Sequence, residues 1–356
     1  MINSQNTNFS APTNLVVGAG LAGCLLAWHL HRKGEPVILI GQSNGHCASM
    51  AAGGVINPVT GRWAVKSWRI DDLLPIAKQT YRTIEDTLHL SFFHSLPLRR
   101  YCLNQEDVQR IHRRMRNPRY ENVLGRFWDP NEGNSPLNDT CGSFSILQAA
   151  YLDMPLLLES LRLHLNYIDE PFDHEQLTPA NDCWEYKGIH AKRIFFCEGV
   201  AIKKNPWFQQ LPVRPIKGET VLLKDKEAIL PKGIFHRQKW LLAYGDGRCR
   251  IGATYDENET NPQPTNEGAK SLLKALKASI DSPFEILQHK AGLRPSTPDA
   301  RPLVGESDKA KNLFILNGLG SKGASTAPLM CQLLLRYALQ GEPLDPAIDC
   351  KRFTTS

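Results

Sequence analysis

The sequence predicts an α/β fold that begins with a nucleotide-binding βαβ unit. Three observations carry this expectation. A glycine-rich turn lies between two apolar runs near the N-terminus, strand-like and helical segments alternate through the rest of the chain, and a second glycine-rich turn enters the last helix.

The first element is the apolar run Asn14–Leu15–Val16–Val17, which leads into Gly18–Ala19–Gly20–Leu21–Ala22–Gly23. An apolar-periodic stretch with Leu25, Leu26, Trp28 and Leu30 follows, Gly34 closes it, and Pro36–Val37–Ile38–Leu39–Ile40 is a second apolar run. Strand, glycine turn, helix and strand in that order form the context in which G-x-G-x-x-G binds a dinucleotide. Gly18 permits the tight turn, Gly20 lets backbone approach a pyrophosphate, and Gly23 lets helix and strand pack closely. The helix N-terminus then directs N–H groups and its positive dipole end at the phosphates. Ala27 keeps the helix near the sheet, and Gly34 suits a left-handed helix cap. One part is missing. An acidic residue that bonds the adenosine ribose is expected about 20 residues on, and Ile40–Gly41–Gln42 stands there without a carboxylate. Gln42 offers an amide to a ribose hydroxyl in its place.

Helical periodicity continues over 71–90 and 153–165, with Asp153 as N-cap and Pro155 in the first turn. It returns over 266–280, and over 325–340, where Gly341 stops the last helix with Pro343 beyond. Strands are expected at 194–197, 219–223, 239–244 and 313–316, and the polar stretches 129–139 and 258–266 read as surface loops.

A length of 356 residues exceeds what one hydrophobic core usually serves, so one large or two interleaved domains are expected. With 42% hydrophobic and 22% charged residues, disorder is excluded as the main state. No apolar run reaches membrane-spanning length, and the polar start, Met1 to Asn14, lacks a basic-then-apolar leader and reads as a short loose arm. Nine scattered cysteines show no C-x-x-C and no zinc spacing. They read as reduced core residues of a cytoplasmic protein, without a metal site.

In the C-terminal hundred residues, Ala291–Gly292–Leu293–Arg294–Pro295–Ser296–Thr297–Pro298–Asp299 precedes Arg301–Pro302–Leu303–Val304–Gly305. A strand at Asn312 to Leu316 then enters Asn317–Gly318–Leu319–Gly320–Ser321–Lys322–Gly323–Ala324, with Thr326–Ala327–Pro328–Leu329 opening the helix. With the N-terminal fingerprint, these landmarks resemble the FAD-dependent D-amino-acid oxidase and glycine oxidase family. Three middle segments are similar as well: Ala48–Ser49 through Gly53–Gly54, Phe196–Cys197–Glu198–Gly199, and Pro212 to Gly218. The Leu319–Gly323 wording is most similar to the oxidoreductase half of the bifunctional enzymes that modify the tRNA wobble uridine. Their methyltransferase half is not expected within these 356 residues.

The resemblance implies a Rossmann-like FAD-binding domain of the glutathione-reductase type, formed by 1–85, 141–212 and 288–356. A mixed-sheet α+β substrate domain would comprise 86–140 and 213–287. The implied cofactor contacts are Gly18, Gly20, Leu21, Ala22, Gly23, Gln42, Ser49, Gly53, Gly54, Phe172 near the adenine, Gly199, Gly318, Gly320, Ser321, Lys322, Gly323 and Ala324. The implied reaction oxidises the C–N bond of an amino acid or secondary amine, by hydride transfer to flavin N5. A carboxylate then needs a bidentate cation, for which Arg294 is the matching position; the alternative is a structural Arg294 paired with Asp299. Lys322 and the surrounding N–H groups suit charge developing on the flavin, and a solvated turn lysine is the alternative. His46 and Cys47 invite a covalent flavin link, but family members with such a link carry it in motifs absent here, so noncovalent FAD is expected.

Seven arginines (99, 100, 110, 113, 114, 116 and 119) against Glu106 and Asp107 give residues 99–119 a charge of +5, within a total of +6. Arg110, Arg113 and Arg114 are expected on one helix face. A solvated face is one reading and a phosphate or RNA contact the other. The latter would suit modification of a tRNA uridine side chain. A non-enzymatic flavin module is a further alternative. Asp173–His174–Glu175 fits no metal spacing and reads as surface. The oligomeric state is not indicated.

Overall fold

The computed structural model describes residues 13–43 and 47–353. The expected N-terminal arm, through residue 12, and His46 lie outside the described residues. The chain divides into two compact units: residues 1–45, 156–215 and 294–356, and residues 46–155 and 216–293.

The first unit is built on a sheet whose central strands are parallel. Its order runs Tyr167–Ile168, Val37–Ile40, Thr13–Val17, Ile189–Phe196, and the last of these pairs beyond with Leu313–Asn317, followed by Leu303–Glu306, and with the antiparallel Cys183–Tyr186, followed by Leu177–Ala180. Leu15 pairs with Ile38 on one side and Ile194 on the other, and Ile194 pairs in turn with Leu313. All of these are buried, as parallel strands covered on both faces require. Helix Leu21–Arg32 is buried along most of its surface, with Gly23 and Ala27 inside, because it packs against the sheet and against helix Gly323–Gln340. Lys33 caps it and Gly34 turns left-handed at φ +74° with open space around it, the role its place after the periodic run predicted. Gly341 ends the last helix in the same way, at φ +74°.

The second unit holds a mixed sheet of eight strands, in the order Phe284–Ser296, Arg214–Asp225, Arg248–Gly252, Trp240–Ala243, Gly233–His236, Leu98–Tyr101, Ser143–Ile146, Leu124–Trp128. Gly233–His236 and Leu98–Tyr101 run parallel, whereas their neighbours are antiparallel. Val221, Leu223 and Ile251 pack with Leu272 and Leu276 of helix Asn266–Lys277, so one sheet face is covered by that helix. Glu85, buried near the end of helix Ile70–Leu88, accepts hydrogen bonds from the N–H groups of Phe92 and Phe93, 2.7 Å each, and fixes the chain leaving that helix.

These units differ from the expected division at 46–85, 141–155, 213–215 and 288–293. Strand pairing is the reason. Val55–Ile56 and Phe93–Ser95 both pair with Ala150–Leu152, which holds 46–85 and 141–155 in the second unit, and 288–293 belongs to a strand of its large sheet. Among the described residues, no helix is long and apolar enough to cross a membrane, and no group of three or more His, Cys, Asp and Glu is arranged to hold a metal.

Candidate functional site

Within the first unit, the parallel strands Thr13–Val17 and Leu313–Asn317 flank Ile189–Phe196 and end at the same sheet edge. A helix starts beyond each of the outer two, at Leu21 and at Gly323. Neither has an acidic residue in its first turn. A Cβ on Gly323 would lie 3.5 Å from Leu21 Cδ2, so the two helix starts adjoin. Ligands of open α/β sheets bind at such an edge, where helix dipoles favour anions.

The turns at this edge require glycine. A Cβ on Gly18, at φ +108°, would come 2.4 Å from the Cys197 carbonyl oxygen, and one on Gly23 would come 1.8 Å from the Gly18 carbonyl oxygen. Gly41 is equally confined, 2.6 Å from the Ala19 nitrogen. Backbone therefore approaches backbone where a pyrophosphate would rest, and the residues fit a dinucleotide.

Hydrogen bonds then join the C-terminal landmarks to this edge. Asn317, buried, donates from Nδ2 to the Gly199 carbonyl at 2.9 Å and accepts from the Gly318 N–H at 2.8 Å. The Gly320 N–H donates to the Pro295 carbonyl at 2.9 Å, which ties the residue after Arg294 to the glycine turn. Gly199, Gly318 and Gly320 are all left-handed, at φ +57°, +70° and +53°. Arg294 is half-buried. Asp299, its expected structural alternative, is engaged by Arg352 at 2.9 Å. Lys322 is the residue before the last helix, and its carbonyl accepts from Ser325 and Thr326. Its side chain is largely exposed, yet partial enclosure of the ammonium lowers its pKa. Leu21 is buried, Ala22 and Ala324 are half-buried, and Ser321 and Gln42 are exposed.

Ser49, Gly53 and Gly54 fall in the second unit. Ser49 is half-buried on the short helix Ala48–Ala51. A Cβ on Gly53 would strike the Trp240 ring at 2.2 Å, and one on Gly54 the Leu152 carbonyl at 2.1 Å, so packing alone already demands both glycines. Phe172 stacks on Tyr186 with centroids 4.3 Å apart and meets Phe196 edge-on.

Three features escaped the sequence reading. Asp169, beside the strand paired with Val37–Ile40, accepts from the Ser43 N–H at 2.8 Å and from its hydroxyl. A carboxylate thus does stand at the end of the second strand, supplied from 126 positions away, and these bonds from Ser43 lower its pKa. Arg162, buried, donates two hydrogen bonds to the Ala19 carbonyl inside the fingerprint. The third corrects an expectation. His174 is no surface residue but half-buried, 2.9 Å from Glu198, with its ring stacked on Phe196. Aromatic packing around Phe172, Phe196 and Trp207 draws it in, and the sequence signal available was the aromatic spacing itself.

The basic segment is also altered in meaning. Helix Gln105–Met115 forms, with Asn104 as its N-cap. Arg99 bonds the carbonyls of Glu132 and Gly133 and lies over Trp128, and Arg100 bonds the Gly61 carbonyl. Arg110 pairs with Asp107 at 2.6 Å and lies over Trp63, and Arg114 bonds the Trp63 carbonyl and the Tyr120 hydroxyl. Arg113, Arg116 and Arg119 are the exposed ones.

The family model described as FAD dependent oxidoreductase (DAO) matches residues 14–336. The chain belongs to this family. Its members use FAD, so the edge built by Gly18, Gly23, Gly199 and Gly318 belongs to an FAD-dependent oxidoreductase and not to a flavin module without chemistry. Glycine oxidase of Pseudomonas aeruginosa is 27% identical over 94% of this chain and 96% of its own length. The tRNA 5-methylaminomethyl-2-thiouridine biosynthesis bifunctional protein MnmC of Marinobacter nauticus is 25% identical over 91% of this chain. The match spans 56% of that relative's length. Two solved structures share the fold. Iminodiacetate oxidase from Chelativorans sp. BNC1 superposes with a TM-score of 0.74 at 23% identity, covering 93% of this chain and 96% of its own. Glycine oxidase from Geobacillus kaustophilus gives 0.80 at 17% identity, covering 94% and 96%.

Proposed function

We propose that this DAO-family protein oxidises the C–N bond next to a carboxylate in an amino acid or secondary amine. The observation that carries the reading is the Gly320–Pro295 hydrogen bond, which sets the strand end bearing Arg294 against the turn that opens the last helix. FAD, when bound without a covalent link, would accept the hydride of the substrate C–H bond, which carries both electrons. Arg294 grips the carboxylate through a guanidinium fork, which holds the α-carbon in one orientation. The dipole of the helix that opens at Gly323 and the Lys322 ammonium favour the negative charge that develops on reduction. The resulting imine takes up water and releases amine and carbonyl compound, so no protein nucleophile is required.

Names of relatives widen the choice of substrate: glycine and iminodiacetate belong in the screen. An RNA substrate is less well supported, since five of the seven arginines at 99–119 already bind protein carbonyls, rings or Asp107. The test is anaerobic bleaching of the bound flavin by a panel of amines and amino acids. Bleaching by at least one amine bearing an α-carboxylate is expected. A colourless protein, or a flavin that no such amine reduces, would overturn the proposal.

A further inference from the structure

A short stretch of the first unit, residues 162–169, runs along the ligand edge of its sheet. Arg162 donates to the Ala19 carbonyl inside the fingerprint turn, and the Tyr167 hydroxyl donates to the Gly41 carbonyl at 2.6 Å. Tyr167–Ile168 pairs in parallel with Leu39–Ile40. The Leu39 N–H donates to the Asn166 carbonyl at 2.9 Å and the Gly41 N–H to the Ile168 carbonyl at 3.1 Å, so the ladder continues past both strands. Asp169 therefore leaves its strand level with Gly41. Gly41 in turn stands against the fingerprint, where a Cβ would lie 2.6 Å from the Ala19 nitrogen. A carboxylate thus emerges beside the turn suited to a pyrophosphate, one strand over from where sequence spacing asks for it.

Its hydrogen bonds fix it there. Asp169 Oδ1 accepts from the Ser43 N–H at 2.8 Å, and Oδ2 accepts from the Ser43 hydroxyl. A carboxylate has about four acceptor positions, so capacity remains after both bonds, and the Ser43 oxygen still has lone pairs of its own. Asp169 is exposed and Ser43 half-buried, which leaves the pair open to a ligand. The bonds from Ser43 also hold the carboxyl below the usual carboxylate range, so it is ionised at neutral pH. The next acid is used differently: Glu170 pairs with Lys187 at 3.0 Å, whereas the groups bracing Asp169 are neutral. A negative charge braced by neutral donors is matched by a ligand hydroxyl, whose bond to an ionised acceptor is the stronger kind.

We infer that Asp169, braced by Ser43, accepts from the adenosine ribose hydroxyls of FAD, in place of Gln42 and of the acid missing at the end of Val37–Ile40. The contact concerns the cofactor alone and is independent of which amine is oxidised. It lies wholly within the first unit, on the same edge as Gly18 and Gly23.

The experiment loads the full-length protein with radiolabelled FAD and displaces it with FAD or with an analogue whose adenosine lacks both ribose hydroxyls. In the unaltered protein the analogue is expected to compete about 10- to 100-fold more weakly than FAD, the range for lost hydrogen bonds to a charged group. D169N keeps the shape, loses the charge, and should shrink that ratio by about fivefold or more. S43A, which removes one brace and leaves the carboxylate, should give an intermediate ratio, and Q42A an unchanged one. If D169N retains too little FAD for competition, S43A decides. A pair that only stiffened the turn would weaken FAD and analogue alike, so an unchanged ratio in D169N and S43A overturns the contact. A ratio near one in the unaltered protein overturns it too, as does a ratio lost in Q42A and kept in D169N. Bleaching by amines is not scored, so failure of the amine reading leaves this result standing.

Discussion

Asn317 holds the carbonyl of Gly199 at 2.9 Å across 118 positions of sequence, and so joins the end of one parallel strand to the turn following its neighbour. The same amide accepts from Gly318, so both ends of the buried side chain are engaged. Asn317→Leu orphans a carbonyl and an N–H, a loss of about 1–3 kcal/mol for each buried group left unpaired. FAD affinity is expected to fall tenfold or more, read as the flavin retained after gel filtration. Asn317→Asp, which keeps the acceptor and loses the donor, should fall between.

Arg162 gives a second test on the same cofactor. Its replacement by Met keeps most of the volume and removes both donors to the Ala19 carbonyl. The expected result is weaker FAD binding together with a lower melting temperature. A lower melting temperature at unchanged FAD affinity would restrict Arg162 to a stabilising role.

Arg294→Ala should raise the Michaelis constant for the amine that bleaches the flavin by about 10- to 100-fold, the range for a lost hydrogen bond to a charged group. Arg294→Lys should recover part of this, because a point charge replaces a fork. An unchanged Michaelis constant in steady-state assays sinks the assignment.

Two glycines separate packing from turn geometry. Gly23→Ala places a methyl 1.8 Å from the Gly18 carbonyl oxygen and should abolish FAD loading. Gly34→Ala meets nothing within 4 Å and is strained only by its φ of +74°, so a cost of about 1 kcal/mol and normal loading are expected.

Stability should fall with acidification in a defined window. Burial pushes His29 down to about 4 and His236 down to about 3, with Lys33 and Arg100 adding to the respective shifts. Both are neutral when folded, while the unfolded chain takes up their protons below about 6.5, so protonation favours unfolding as pH falls from there toward 4. Melting temperatures of the holoprotein between pH 7 and 4.5 should decline, and less steeply in His29→Leu.

What was legible in the sequence was local. The fingerprint, the Gly34 and Gly341 stops and the C-terminal turn each depend on residues within a few positions, where periodicity and left-handed backbone leave a mark. Arg162 and Asp169 were illegible because they act on Ala19 and Ser43 through strand neighbours 143 and 126 positions away. The absent ribose carboxylate illustrates the limit: spacing along the chain points to the end of Val37–Ile40, and the acid stands beside the neighbouring strand. The compact units show the same limit, since the pairing of 55–56 with 150–152 cannot be seen from either segment alone.

The arginines of 99–119 have a consequence for the whole molecule in solution. A formal charge of +6 describes titration, but a guanidinium already holding a carbonyl or lying over an indole gives up little to a passing polyanion. Retention on heparin or a sulfonate resin should accordingly track Arg113 and Arg119, and fall short of what the isoelectric point near 8.8 suggests.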